Sequence, residues 1–228
     1  MSQTALSVAI VTFAFLAYLS FQGNKAIIEL LTRKYGNEGG QWRHIVAVRL
    51  FGALIFGGTS VISAYAIGFS AGYIGIAIAP TMLSLVFILC FGVLMVIVNF
   101  FAARTDGNLA MYPQIRIEKF STSILIVSAV TWLLYLLGYE IMLRGFLFAF
   151  CMAEFDLKSA ILINISIYAL IHLPKGMKET IGSLPMGAVL CYITYKTGSI
   201  WAAFFIHATL ALSNEWFSIK YHKLLWKK

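Results

Sequence analysis

From Leu50 to Ala103 the chain carries no Asp, Glu, Lys or Arg. That run is long enough for two membrane crossings at roughly 20 residues each, and a soluble domain has no means of hiding so much uncharged surface. Composition agrees: 61% of residues are hydrophobic and only 11% charged, with a mean hydropathy of +0.87, far from ordinary soluble domains. The expected fold class is all-α, a polytopic transmembrane bundle of seven or eight helices, with residues 1–228 forming a single integral membrane domain and no linker. Crossings are expected near 5–22, 44–69, 79–103, 120–137, 139–154, 158–173, 178–196 and 199–217. The opening "MSQTALSVAIVTFAFLAYLSFQ" has no basic region before its apolar run and no convincing small-residue cleavage signal, so it reads as a first membrane helix.

The net charge of +8 points to topology and anionic lipid rather than nucleic acid, because Lys and Arg fall mostly between apolar runs and at the C-terminus. The basic loops 23–43 and 104–119 are expected in the cytoplasm and the uncharged 70–80 loop outside, which places the N-terminus outside. A tail with Lys220, Lys223, Lys227 and Lys228 inside then requires an odd number of crossings, met if 120–154 counts as one element. Asn24 to Tyr35 is amphipathic, with Ile27, Ile28, Leu30 and Leu31 set against Lys25, Arg33 and Lys34, and suits a helix lying at the interface. Cys90, Cys151 and Cys191 sit in apolar segments at no disulfide-framework spacing and read as packing residues. Arg49 is expected to snorkel from its helix end, while His44 and His222 belong to charged flanks.

Against this background "GYEIMLRGFLFAF" (138–150) needs a reason, because a charge at mid-membrane costs at least about 2.5–3.5 kcal/mol. Glu140 and Arg144 stand at i, i+4 and share a helix face, so one reading is a self-neutralising pair that braces the bundle. His172 closes an apolar helix just before Pro174, and His207 lies about two turns inside the last helix, with Ser199 as its N-cap. Two membrane histidines on long helices beside a Glu–Arg turn favour one polar cluster over three separate accidents. Glu179 follows the "LPKG" break in the first turn of the next helix, where the helix dipole also favours a carboxylate for purely local reasons. Asn214 shares the His207 face, with Ala211 between them.

In order and spacing these residues resemble the intramembrane proteases grouped as CAAX-processing and bacteriocin-processing enzymes, which include the type II CAAX prenyl endopeptidases. That family shows two adjacent glutamates, three intervening residues and an arginine, often followed by glycine. An aromatic with a histidine four residues on comes next, and then a histidine in a late helix with an asparagine four residues after it. The matches here are Glu140, Arg144 and Gly145, then Tyr168 and His172, then His207, and they span a catalytic core of about 120–217. Two positions depart: Tyr139 stands where the family has its first glutamate, the one usually assigned to activate water, and Ala211 where it has the asparagine.

The resemblance implies peptide-bond hydrolysis by a glutamate- and histidine-activated water, with the late histidine and the asparagine steadying the oxyanion. It implies a peptide or membrane-protein substrate, lipidated or not, and neither cofactor nor metal; substrate identity and oligomeric state are left open. For this chain the expected catalytic set is Glu140 or Glu179 as base, His172 sharing the water and His207 donating to the oxyanion, with Arg144, Tyr139 and Asn214 in support. A zinc site built from two histidines and one or two carboxylates is the weaker reading, since the sequence has no HExxH or similar close-spaced ligand pair. The losses at Tyr139 and Ala211 favour an alternative of another class, a non-catalytic binding, immunity or scaffold protein that keeps the fold. A transporter is disfavoured by the lack of internal repeats or paired broken helices.

If one site exists, Glu140, His172 and His207 must turn inward on neighbouring helices. Helical periodicity then places Cys151 on the Glu140–Arg144 stripe, with Leu143 and Phe150 pointing elsewhere. Glu179 is expected at the cavity mouth, closer to His172 than to His207.

Overall fold

The computed structural model of the chain describes residues 2–225, and Lys227 and Lys228 of the basic tail lie outside them. Among the described residues the fold is all-helical. Helix α1 (Gln3–Gln22) turns at Gly23 into α2 (Lys25–Ala53), which runs through a π-helical turn, Leu54–Gly58, into α3 (Thr59–Ala66). There follow α4 (Met82–Ala102), the single turn α5 (Asp106–Leu109) and α6 (Thr122–Glu140). A second π-helical stretch, Ile141–Leu147, joins α6 to α7 (Phe148–Glu154). Then come α8 (Leu157–His172), the 3-10 turn Leu173–Lys175, α9 (Met177–Thr197) and α10 (Trp201–Leu225). Among the described residues four stretches are long and apolar enough to cross a membrane: Gln3–Ala66, which contains the α1–α2 turn, Met82–Ala102, Thr122–Glu154 and Leu157–Lys175.

Helix starts follow side-chain capping. Asn24, Thr81, Ser121 and Asp156 each accept a hydrogen bond from a backbone N–H in the first turn of α2, α4, α6 and α8. Gly36 interrupts α2 with φ 74°, a left-handed conformation that glycine adopts without a Cβ penalty. The amphipathic stretch before it is thus set apart from the apolar part of α2, and Leu30 and Tyr35 are exposed along it.

Residues 122–154 form one continuous helical rod rather than the two separate elements expected at 120–137 and 139–154. The π-helical register is what keeps it whole. There the Phe148 N–H is shared between the Gly145 carbonyl and, five residues back, the Leu143 carbonyl, which also accepts from Asn164 Nδ2 of α8 at 2.7 Å. Asn164 is fully buried, and its Oδ1 accepts from the Cys191 thiol at 3.1 Å, so a single amide ties this stretch to α8 and α9. Two close approaches need glycine. A Cβ on Gly138 would stand 2.6 Å from the Ala53 carbonyl oxygen, and one on Gly145 2.7 Å from that of Ile74.

The second contact seats the uncharged loop before α4 against the bundle. Ser199 Oγ donates to the Ile78 carbonyl (2.9 Å) and Trp201 Nε1 to that of Ile76 (3.0 Å), tying the same loop to the start of α10. The 141–151 stretch lies at the centre of the molecule, with Met142, Leu143, Phe146, Leu147, Phe150 and Cys151 all buried. The expectation that Leu143 and Phe150 point away from the interior therefore fails: neighbours surround this helix on every side, so no stripe of it is left for lipid. Cys151 is buried as expected, but it is not among the residues lining the polar cavity described below.

Helices α9 and α10 are as long as the apolar ones yet more polar. Many of their polar groups face inward: Thr180, Ser183, Thr194, Thr197, His207, Glu215 and Ser218 are buried. Helix α9 packs on α8, and α10 on α4 and α6.

Candidate functional site

Glu140 ends α6 and is completely buried. The Arg144 guanidinium, one turn on and 1% exposed, approaches both of its oxygens at 3.4 Å. Glu140 Oε1 also accepts from His207 Nδ1 of α10 at 2.6 Å. Arg144 lies over the Tyr168 ring at 4.3 Å, so one cation is held between a carboxylate and an aromatic face. The carboxylate can only accept, so Nδ1 of His207 carries the proton and its Nε2 is left for other partners.

His172 is oriented in the same manner from the other side. Its Nδ1 lies 2.8 Å from the Tyr168 carbonyl, another acceptor, which leaves Nε2 as a lone-pair site in the neutral ring. Pro174 and the 3-10 turn end α8 here, and the Tyr168 and His172 rings meet in a tilted contact, 4.5 Å between centroids. Tyr139 stands between the two imidazoles, edge-on to His172 at 6.4 Å and to His207 at 5.9 Å.

One cavity of about 820 Å³ is lined by Tyr139, Tyr168, His172, Glu179, His207, Ala211 and Asn214, among others. Glu140 and Arg144 are not among its lining residues; they support the wall from behind through His207 and Tyr168. Glu179, in the first turn of α9, accepts from the Tyr112 hydroxyl at 3.3 Å and lies 3.9 Å from Lys175 Nζ. Tyr112 sits in the connection between α5 and α6, outside the apolar helices. Burial, and after it the neighbouring Glu179 carboxylate, push its phenol well above the ordinary range, so it remains a donor to Glu179. Among the described residues no three of His, Cys, Asp and Glu are gathered as metal ligands would be.

The structure corrects the expectation for Arg49, which also lines the cavity. It does not snorkel. It is 3% exposed, lies 3.9 Å from the buried Glu215 of α10 and donates to Ser128 Oγ and Gln114 Oε1. Glu215 in turn accepts from the Gln114 backbone N–H at 3.0 Å. This second ion pair stitches α2, α10 and the 110–118 connection together across the cavity. His44, expected on a charged flank, also lines the cavity. A signal for the second pair was present, since Arg49 interrupts an apolar run and Glu215 follows Asn214 in the last helix. Pairing the two required knowing that α2 and α10 face a common interior.

A bundle of apolar helices around an ion-paired glutamate, two oriented histidines and a polar cavity defines a membrane protein with a chemically equipped interior. The family model described as "Type II CAAX prenyl endopeptidase Rce1-like" matches residues 121–213. That is well under half the chain, but it holds every motif residue on which the resemblance rests, and it supports the CAAX protease family and a protease of that intramembrane type. No curated protein shows a significant match to the chain, and no solved structure does.

Proposed function

We propose that the chain is a multi-pass intramembrane endopeptidase that hydrolyses a peptide bond inside this cavity. In this reading residues 1–228 form one membrane domain of seven crossings, because 122–154 is one element, and residues 120–217 carry the catalytic core. The N-terminus then lies outside and the basic C-terminal end inside, the orientation favoured by loop charge. The observation that carries the reading is the convergence on one cavity of His172 and His207, each with Nδ1 committed and Nε2 available, together with the Glu179 carboxylate.

Glu179 is a better base than Glu140, which is sequestered by Arg144 and His207 and lies outside the cavity lining. Glu179 takes a proton from the attacking water while His172 Nε2 accepts that water's other hydrogen and aligns it. His207 Nε2, when protonated, donates to the developing oxyanion. Glu140 and Arg144 are positioning residues that fix the His207 ring and compensate its charge.

The test is cleavage of a labelled peptide library, lipidated and unlipidated, by the purified chain in liposomes. His172→Ala, His207→Ala and Glu179→Gln should each lower kcat on the order of 100-fold or more, and Glu140→Gln should act through His207. Four variants matching an active parent would remove the catalytic assignment. The placement of Tyr139 rather than a carboxylate on the cavity wall favours a second reading, a non-catalytic protein that binds a peptide segment there. Saturable retention of library peptides without any cleavage would support it.

A further inference from the structure

Among the polar groups on the cavity wall that the mechanism above leaves unused, the Tyr139 hydroxyl stands beside the two histidines. Tyr139 is 2% exposed, and its buried hydroxyl oxygen has no hydrogen-bond partner among the described residues. The ring itself is fully accounted for by packing, lying within 5.8–5.9 Å of Tyr135, Tyr168 and Phe56. Phenylalanine would satisfy every one of those contacts. A buried O–H without an acceptor forgoes the hydrogen bond it makes in water, and the described residues supply none for this one. Such a cost makes sense where a ligand brings the missing acceptor.

The surroundings say which kind of acceptor. At ordinary pH a phenol is protonated, so Tyr139 is a donor and not a base. It faces the two imidazoles whose Nδ1 atoms are already committed to Tyr168 and Glu140, and Ala211 offers only a methyl group to the same cavity. Among the donors on this wall for an oxygen placed between the histidines are His207 Nε2 and the Tyr139 hydroxyl.

We propose that Tyr139 is a catalytic residue, donating its hydroxyl hydrogen bond to the carbonyl oxygen of the scissile peptide bond; this rests on the peptidase reading. As the water oxygen bonds to the carbonyl carbon, the water proton passes to Glu179 and the carbonyl π pair moves onto oxygen, where the Tyr139 bond strengthens. When the carbon–nitrogen bond breaks, that proton passes from Glu179 to the leaving amine. Tyr139 keeps its own proton throughout, so the step needs no further reagent.

The experiment is Tyr139→Phe, assayed in liposomes with the labelled peptide library and, in parallel, for thermal unfolding in detergent. The expected result is a fall in kcat on the order of 100-fold with KM changed less than about threefold, and a Tm equal to or above that of the parent, because the unsatisfied hydroxyl is gone. A merely structural tyrosine would lose activity and Tm together. An active parent whose Phe variant retains kcat within about threefold, or loses activity only with a lowered Tm, overturns the assignment.

If the parent cleaves nothing, the peptidase reading falls separately, and the two proteins are compared for retention of a pool of phosphinic peptides, whose tetrahedral P–O⁻ mimics the oxyanion. Retention by the parent that drops at least about tenfold in the Phe variant upholds the donor role. Equal retention, or none by the parent, overturns it.

Discussion

The buried pair of Glu140 and Arg144 should respond to being broken and to being removed in opposite ways. Glu140→Gln keeps the side-chain shape and an oxygen for His207 Nδ1, yet leaves the Arg144 guanidinium, 1% exposed, without its counter-charge. Coulomb's law across the 3.4 Å gap gives roughly 5 kcal/mol at an effective dielectric of about 20. Measured losses on breaking buried pairs run at about 3–5 kcal/mol, so the single variant should lose about 3 kcal/mol or more. Arg144→Met should lose a similar amount by stranding Glu140. Replacing both by Met removes two desolvation penalties along with the attraction but also takes the acceptor from His207 Nδ1, so the double variant should recover part of the loss and stay about 1–3 kcal/mol below the parent. The assay is reversible unfolding in mixed micelles by tryptophan fluorescence, read as a double-mutant cycle. A double variant as unstable as the sum of the singles, or a Glu140→Gln variant that costs under about 1 kcal/mol, would refute the claim that these two charges compensate each other at the centre of the bundle.

Gly138→Ala should destabilise by about 1–3 kcal/mol, because the new Cβ would meet the Ala53 backbone oxygen at 2.6 Å. Gly182→Ala in α9, where nothing lies within 4 Å, should be neutral or gain up to about 1 kcal/mol in the same unfolding assay. Asp156 caps α8, and the hydrogen bond from the Ser159 backbone N–H, more than any other contact, holds its carboxyl below the ordinary aspartate range. A depressed folded value means that this stabilisation is present above the unfolded pKa, about 4, and lost as pH falls through the folded one. Tm measured from pH 6 down to 2 should therefore show an acid-side decline that is shallower in Asp156→Asn, which still caps but does not titrate; identical slopes would count against it.

The charge-free stretch from Leu50 to Ala103 and the spacing of polar residues carried the all-helical class, the membrane setting and the identities Glu140, Arg144, His172 and His207, because helical periodicity and the cost of burying charge operate locally along the chain. The amphipathic segment ending near Tyr35 was legible for the same reason. Which groups touch is another matter. That Glu140 closes on His207 from α10, that Tyr139 and not Glu140 meets the cavity, and that Arg49 finds Glu215 all depend on the neighbours each helix acquires on packing, which no single-helix periodicity encodes. The π-helical turn at 141–147 also shifts the register on which a regular helical stripe would place Leu143 and Phe150. It persists because Asn164, on another helix, hydrogen-bonds the Leu143 carbonyl within that turn, a contact that exists only in the folded molecule.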